Sequence, residues 1–341
     1  KNLGSSMDVG FKGNPNIGSI VLNQIVDSND FQDFANNFES GDKIFIISSI
    51  FGGTGASGFP LLLKTLRTGT NFPNNDLINH AEIGAITILP YFKLKNDDES
   101  EIDSSTFISK TKSALAYYEN NISKNKSIDA LYFLADNVTN TYENHEGGSA
   151  QQNDAHLVEF LAATAIVDFS NKQHANTSNK ELGLKELTNS VTFDSFYENQ
   201  KRLLFAPLTE FMMMTNCLNH KFDYYSSKDF NANNDNFNGL YGSSFMTELQ
   251  NLTGLFIEWL DEMKRNKRSL DLFNLNTKDK PFEVVTGVKP KKIISLKSDY
   301  DLVTDRLNSA VKKCQSKEDN DKFLEMFFLA MRKLFNEKFN A

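Results

Sequence analysis

Cysteine is nearly missing. The 341 residues hold two, Cys217 and Cys314, far apart and without a partner motif. This argues against a disulfide framework or a Cys-based zinc site and fits a reducing cytoplasm. Positive charge is in deficit: 36 Lys and Arg face 44 Asp and Glu, a net charge of −8, with a pI near 5.3. Nucleic acid or an anionic membrane is therefore not expected as the main partner. Local phosphate binding stays open, because backbone N–H groups need no net positive charge. Long apolar runs are also lacking. Ile44–Ile47 falls far short of a membrane span, and no signal peptide is visible. None of the five histidines (His80, His145, His156, His174 and His220) stands in a metal-binding spacing, so no protein-held metal is expected. An initiator Met is absent. The opening "KNLGSSMDVGFKGNPNIG" reads as a chain entered mid-domain, with structure expected upstream.

The length is too great for one small core, so two domains, or one with an appendage, are expected. Residues 1–195 alternate strand and helix. "NIGSIVLNQIVDSNDFQDFANNF" (16–38) has roughly helical apolar spacing, and "KIFIISSIF" (43–51) is β-branched and apolar on both faces. "PLLLKTLRTG" reads as a helix with Pro60 near its first turn and Gly69 at its end. "AEIGAITILPYF" (81–92) and "SIDALYFLADN" (127–137) read as strands. "SSTFISKTKSALAYYENN" (104–121) and the long central stretch 148–169 read as helices. This alternation predicts α/β architecture with a parallel sheet covered on both faces. Ligands in such sheets bind beyond the carboxyl ends of the strands.

Residues 196–341 read as mainly helical, in "RLLFAPLTEFMMMTNCL", "FMTELQNLTGLFIEWLDEMKRN" and "DKFLEMFFLAMRKLFNEKF". The Asn-rich stretch 226–244 reads as a loop, and "FEVVTGVKPKKIISL" (282–296) as a short strand-like pair. Met212–Met214 and Trp259 read as core, and "KPKK" (289–292) as a solvated loop.

The sharpest motif is the glycine turn "SSIFGGTGASGFP". Gly52, Gly55 and Gly58 satisfy G-x-x-G-x-x-G between strand and helix, as in short-chain or epimerase-type Rossmann enzymes binding NAD(P). The partner signals of that family are not met. The next strand ends in Pro90–Tyr91–Phe92 rather than in a ribose-reading acid, and no Tyr-x-x-x-Lys pair follows.

A second family fits more of the chain. "GGTGASGFP" resembles the phosphate loop of the tubulin/FtsZ superfamily, G-G-T-G-(small)-G-A-A-P. "GFKGNPNIG" (10–18) is similar to its upstream G-A-G-G-N-P-x-x-G loop, and "IGAITILPYF" to its V-V-T-x-P-F strand. "IDALYFLADN" resembles D-x-L-I-V-I-P-N-D, and "AQQNDAHLVEFLAA" the start of its central helix. The resemblance implies GTP or GDP with Mg²⁺ as ligand. It implies phosphate contacts from Gly52, Gly53, Thr54, Gly55, Ala56 and Ser57, with the loop at Gly13 and Asn14 approaching the terminal phosphate. Asn137, Asn153 and Asp154 would lie at the ribose and base. Asp154 would accept from the guanine N1–H and 2-amino group together.

Departures from the family are visible in the same residues. Phe51 and Ser57 replace glycines of the family loop, and the family's first strand and glycine-rich loop have no counterpart here. Hydrolysis in this family happens between subunits, on acids inserted from the next one. "AIVDFSN" (165–171) offers only Asp168 for that role, and a helix-end carboxylate is an equal reading. His156, two residues past Asp154, would be rotated about 200° from it on a helix and reads as a partly buried, hydrogen-bonded side chain. The resemblance thus implies a cytoplasmic, nucleotide-switched protein that associates with itself, or with a protein partner through its helical C-terminal part. The alternatives are an NAD(P)-dependent oxidoreductase and a catalytically inactive scaffold of the same fold.

Overall fold

The computed structural model describes residues 10–11, 14–96, 104–125, 127–138, 140–145, 152–171, 183–227, 237, 239–278, 280–292 and 297–339, without the side chains of 222–227. They form two compact units, one drawn from 1–153 and 158–180, the other from 154–157 and 181–341.

The first unit is α/β. In chain order it carries α1 (Pro15–Leu22), α2 (Asn29–Asn36), β1 (Lys43–Ser49), α3 (Gly53–Thr68), α4 (Asn75–His80), β2 (Glu82–Ile88), β3 (Phe92–Leu94), α5 (Phe107–Tyr118), β4 (Ala130–Leu134), β5 (Asn140–Tyr142) and α6 (Leu157–Ser170). Parallel pairing runs in the order β1-β2-β4. Helices pack on both faces of this sheet and bury β2 from Ile83 to Thr87, while Ile47 of β1 and Phe133 of β4 stay exposed. One face, with Ile44, Ile46, Ile83 and Ala85, packs on α3 through Phe59 and Leu63. The other face meets α6, where Ile86 packs with Ala162 and Ala165. A second small parallel pair, β3 with β5, extends past the carboxyl ends of β2 and β4.

Several elements depart from the sequence reading. The stretch 16–38 is not one helix: a 3-10 turn at Ile25–Asp27 separates α1 from α2, and Ser28 caps α2 by accepting from the Phe31 N–H at 3.2 Å. α3 starts at Gly53, so Pro60 lies inside it rather than at its first turn. A helical proline leaves the carbonyl four residues back without its N–H donor. Here that carbonyl belongs to Ala56, and the buried Tyr118 of α5 donates its hydroxyl to it at 3.4 Å. The central helix begins at Leu157, later than expected, and residues 146–151 lie outside the described set.

The other unit is mainly helical. It holds β6 (Ser190–Val191), α7 (Glu198–Ser227), α8 (Ser244–Arg265), β7 (Ser269–Leu270), α9 (Asp299–Val311) and α10 (Asp319–Lys338). β6 and β7 pair in parallel. Met212, Met213 and Met214 are buried, as expected of core. Trp259 is half-buried rather than core and stacks on Phe256 at 6.0 Å. Residues 280–292 form no strand pair: Val285 makes one isolated bridge to Phe273, and 293–296 lie outside the described residues. Most of the expected loop at 226–244 also lies outside them. α9 went unread in the sequence despite a capping box, Ser298 with Asp301.

Candidate functional site

The glycine turn lies where the α/β rule puts a ligand. β1 ends at Ser49, the Ile50 N–H continues the ladder to Ile88 O at 2.9 Å, and Gly52 is the N-cap of α3. The first N–H groups of a helix have no acceptor within it, and its dipole is positive at this end. The first turn of α3 contains no acid. Gly52, Gly53, Thr54 and Gly55 therefore stand at a helix start suited to an anion.

Two glycine segments far apart in sequence meet here. The Phe11 N–H donates to Thr54 Oγ1 at 3.4 Å, and the Asn14 N–H donates to Phe11 O at 2.7 Å. Asn14 is the N-cap of α1. Gly13 lies outside the described residues. Close packing fixes this arrangement. A Cβ on Gly18 of α1 would stand 2.2 Å from Ser57 Oγ, so α1 rests directly on α3 only because residue 18 is glycine. A Cβ on Gly55 would stand 2.2 Å from the Ser49 carbonyl oxygen. Gly55 thus serves the contact between helix and strand.

Ser57 and Phe51, the two departures from the family loop, are both interior. Ser57 is buried and its hydroxyl donates to Gly53 O at 2.7 Å, one turn back in its own helix. Phe51 is buried against Phe107, with ring centroids 4.9 Å apart, and Phe92, at 5.8 Å. Tyr91 and Tyr142 flank the same cluster. Burial, with Glu159 and Tyr142 nearby, pushes the Tyr91 hydroxyl up to about 12. The carboxyl side of β1 and β2 is thus partly filled by rings. Ala56, one turn into α3, lines a side cavity instead of the tip.

The remaining candidates are dispersed. Asn137 is exposed beyond the end of β4, and its N–H donates to Asp136 Oδ1 at 2.7 Å. Asn153 and Asp154 are exposed and precede α6. Asp154 falls in the helical unit, while Asn137, Asn153 and the turn belong to the α/β unit. His156 precedes α6 and is buried, more deeply than expected. The next links of 154–157 are to the helical unit: the Ala155 N–H donates to Glu262 at 2.6 Å, and Asn266 donates to Ala155 O at 2.8 Å.

Asp168 lies within the last turn of α6 and is 4% exposed. Tyr132 of β4 donates its hydroxyl to Asp168 Oδ2 at 3.0 Å. Burial first, then the Asp168 carboxylate, raises the Tyr132 pKa above its ordinary value. This acid is part of the contact between α6 and the sheet.

One group was not picked out from the sequence. Arg67, in the last turn of α3, donates to Ser127 O at 2.6 Å, Ala81 O at 2.7 Å, Asn79 O at 3.2 Å and Asp129 Oδ2 at 2.7 Å. Asp129 also accepts from the Ile83 N–H at 2.8 Å. This node ties α3 to the amino ends of β2 and β4. No group of His, Cys, Asp or Glu able to hold a metal ion occurs among the described residues, nor any helix long and apolar enough to cross a membrane. No family model, curated protein or solved structure matches this chain.

Proposed function

We propose that this protein binds a guanine nucleotide, with its phosphates at the β1–α3 turn, and that nucleotide state controls its association with itself or a protein partner in the cytoplasm. The observation that carries the reading is the meeting of the two glycine segments: Gly10 and Phe11 stand against Thr54 at the acid-free start of α3. A β-strand running into a glycine-opened helix supplies convergent N–H donors without net positive charge. The motifs' resemblance to the tubulin/FtsZ superfamily implies phosphate binding at such a turn. Mg²⁺ would arrive with the phosphates, as this ion commonly does, held by few protein groups. Guanine selection by Asp154, Asn153 and Asn137 rests on the resemblance.

The catalytically inactive version of this reading is favoured over slow hydrolysis by one observation. Asp168, the one acid available for the family's role, is buried and engaged by Tyr132. An acid that polarises water for a neighbouring subunit needs access to that subunit.

Thermal unfolding tests the binding reading. A ligand at a hundred times its Kd stabilises by about 2.7 kcal/mol. GTP with Mg²⁺ should raise Tm by several degrees, and NADP⁺ should not. No shift at millimolar GTP, or an equal shift with NADP⁺, refutes the reading. Sedimentation with GTP against GDP tests the association. Phosphate release by wild type against Asp168→Asn tests catalysis: asparagine keeps an acceptor for Tyr132, so release lost only in the variant would restore Asp168 as a catalytic acid.

A further inference from the structure

A cavity of about 520 Å³ opens along the side of α3, between α1 and α5. That volume suits a small organic ligand. Its apolar wall is Ile50, Ala56, Pro60, Leu61, Ala114 and Tyr118. Among the described residues lining it, Lys110 is the only charged one and none is an acid. In a chain with net charge −8, a described lining that holds one ammonium and no carboxylate favours an anion.

The hydroxyls around the cavity narrow the choice. Ser19 donates to Pro15 O at 3.0 Å, Ser57 to Gly53 O at 2.7 Å, Ser109 to Thr106 O at 2.9 Å and Ser113 to Ser109 O at 3.2 Å. Tyr118 donates to Ala56 O. These protons are committed to backbone carbonyls, so they add little to the binding of a multiply charged group. A di- or triphosphate needs several donors at once. A carboxylate needs one ammonium and a place for its apolar body.

We infer that this cavity binds a small carboxylate with an aryl or branched alkyl body, its anionic head on Lys110 and its body against Leu61, Pro60 and Tyr118. The site is separate from the nucleotide turn, and its test does not depend on GTP binding. The probes are 2-naphthylacetate and its neutral analogue 2-naphthylacetamide, titrated calorimetrically into the whole protein. The carboxylate should bind about tenfold more tightly than the amide, the worth of one charge-assisted contact. Lys110→Gln should erase that ratio while leaving any GTP-induced rise in Tm unchanged. Ala114→Trp should fill the cavity and abolish binding of both probes. Should Ala114→Trp fail to fold, Lys110→Gln at the cavity rim still decides. Equal affinity for the two probes, no binding of either, or a ratio unchanged by Lys110→Gln overturns the inference.

Discussion

Gly55→Ala puts the turn to its most direct test. An ideal Cβ at this position would stand 2.2 Å from the Ser49 carbonyl oxygen and 2.9 Å from the Ser49 nitrogen. Both are backbone atoms of the β1 terminus, so no rotamer change relieves the clash. Restoring ordinary contact requires α3 to lift from β1 by about 1 Å. That motion is opposed at the far end of the helix, where Arg67 is bonded to four acceptors. Overpacking of this kind costs about 1–3 kcal/mol, and a rigid backbone neighbour puts Gly55 at the upper end. The better helix propensity of alanine offsets about 1 kcal/mol. The net loss should be about 2 kcal/mol, a fall in Tm of roughly 4–8 °C for a unit of this size. Gly52→Ala is the control. Its Cβ would meet only Ser49 Oγ at 3.2 Å, the end of a movable side chain, so its cost should stay below about 1 kcal/mol. Calorimetric unfolding of both variants gives the comparison. Wild-type stability in Gly55→Ala would refute the close approach of helix and strand. A consequence for function follows: loss of GTP binding in Gly55→Ala would report a displaced helix, so phosphate contact is better probed at Gly52 and Thr54.

Arg67→Ala should cost about 3 kcal/mol, because it takes the donor from three carbonyls and the cation from Asp129, which keeps the Ile83 N–H, at a part-buried node; Arg67→Lys should recover little, since an ammonium cannot reproduce the fork. Urea unfolding measures both. Tyr118→Phe should cost up to about 1 kcal/mol by leaving the Ala56 carbonyl without a donor, and should cost less in a Pro60→Ala background, where residue 60 regains its N–H; additive losses in the double-mutant cycle refute the pairing. Glu325 accepts from the N–H groups of Ser316 and Gln315, which hold its pKa below the ordinary 4.5. A depressed carboxyl contributes stability above its unfolded value and loses it as pH falls through the folded value. Amide protection at Gln315 and Ser316 should therefore be full near neutrality and fall only as pH drops below the ordinary carboxylate range, and Glu325→Ala should remove it throughout; protection unchanged in that variant overturns the assignment.

What the residues disclosed, and what they hid, divides along physical lines. The central strand Glu82–Ile88 was legible because burial on both faces leaves a largely apolar run, and Lys43–Ser49 because its apolar core Ile44–Ile47 is rich in β-branched residues although Ile47 is exposed. The start of α3 was not, because Pro60 is an ordinary first-turn signal. The Tyr118 hydroxyl, 58 positions from Pro60 in sequence, donates to the carbonyl that this proline leaves without its N–H, and no local pattern announces such a donor. Arg67 was hidden for the same reason: its acceptors come from two separate places, the end of α4 with its connection to β2 and the connection leading into β4. The glycines show the limit of motif reading most clearly. One spacing serves two physical needs, donors turned toward an anion and closeness between a helix and a strand. A Cβ on Gly52 would meet only the end of the movable Ser49 side chain, whereas at Gly55 the Ser49 backbone already accounts for the missing side chain. The phosphate-loop reading therefore rests on fewer positions than its motif suggests. Phe51 and Ser57 narrow it further. Each stands where the phosphate loop that the motif resembles has glycine, and each lies in the interior, one in the Phe92–Phe107 cluster and one at the α1–α3 contact. On the proposed reading, a nucleotide at this turn is to be held by Gly52, Gly53 and Thr54 together with Gly10, Phe11 and Asn14, and these are the positions where substitution should separate binding from packing.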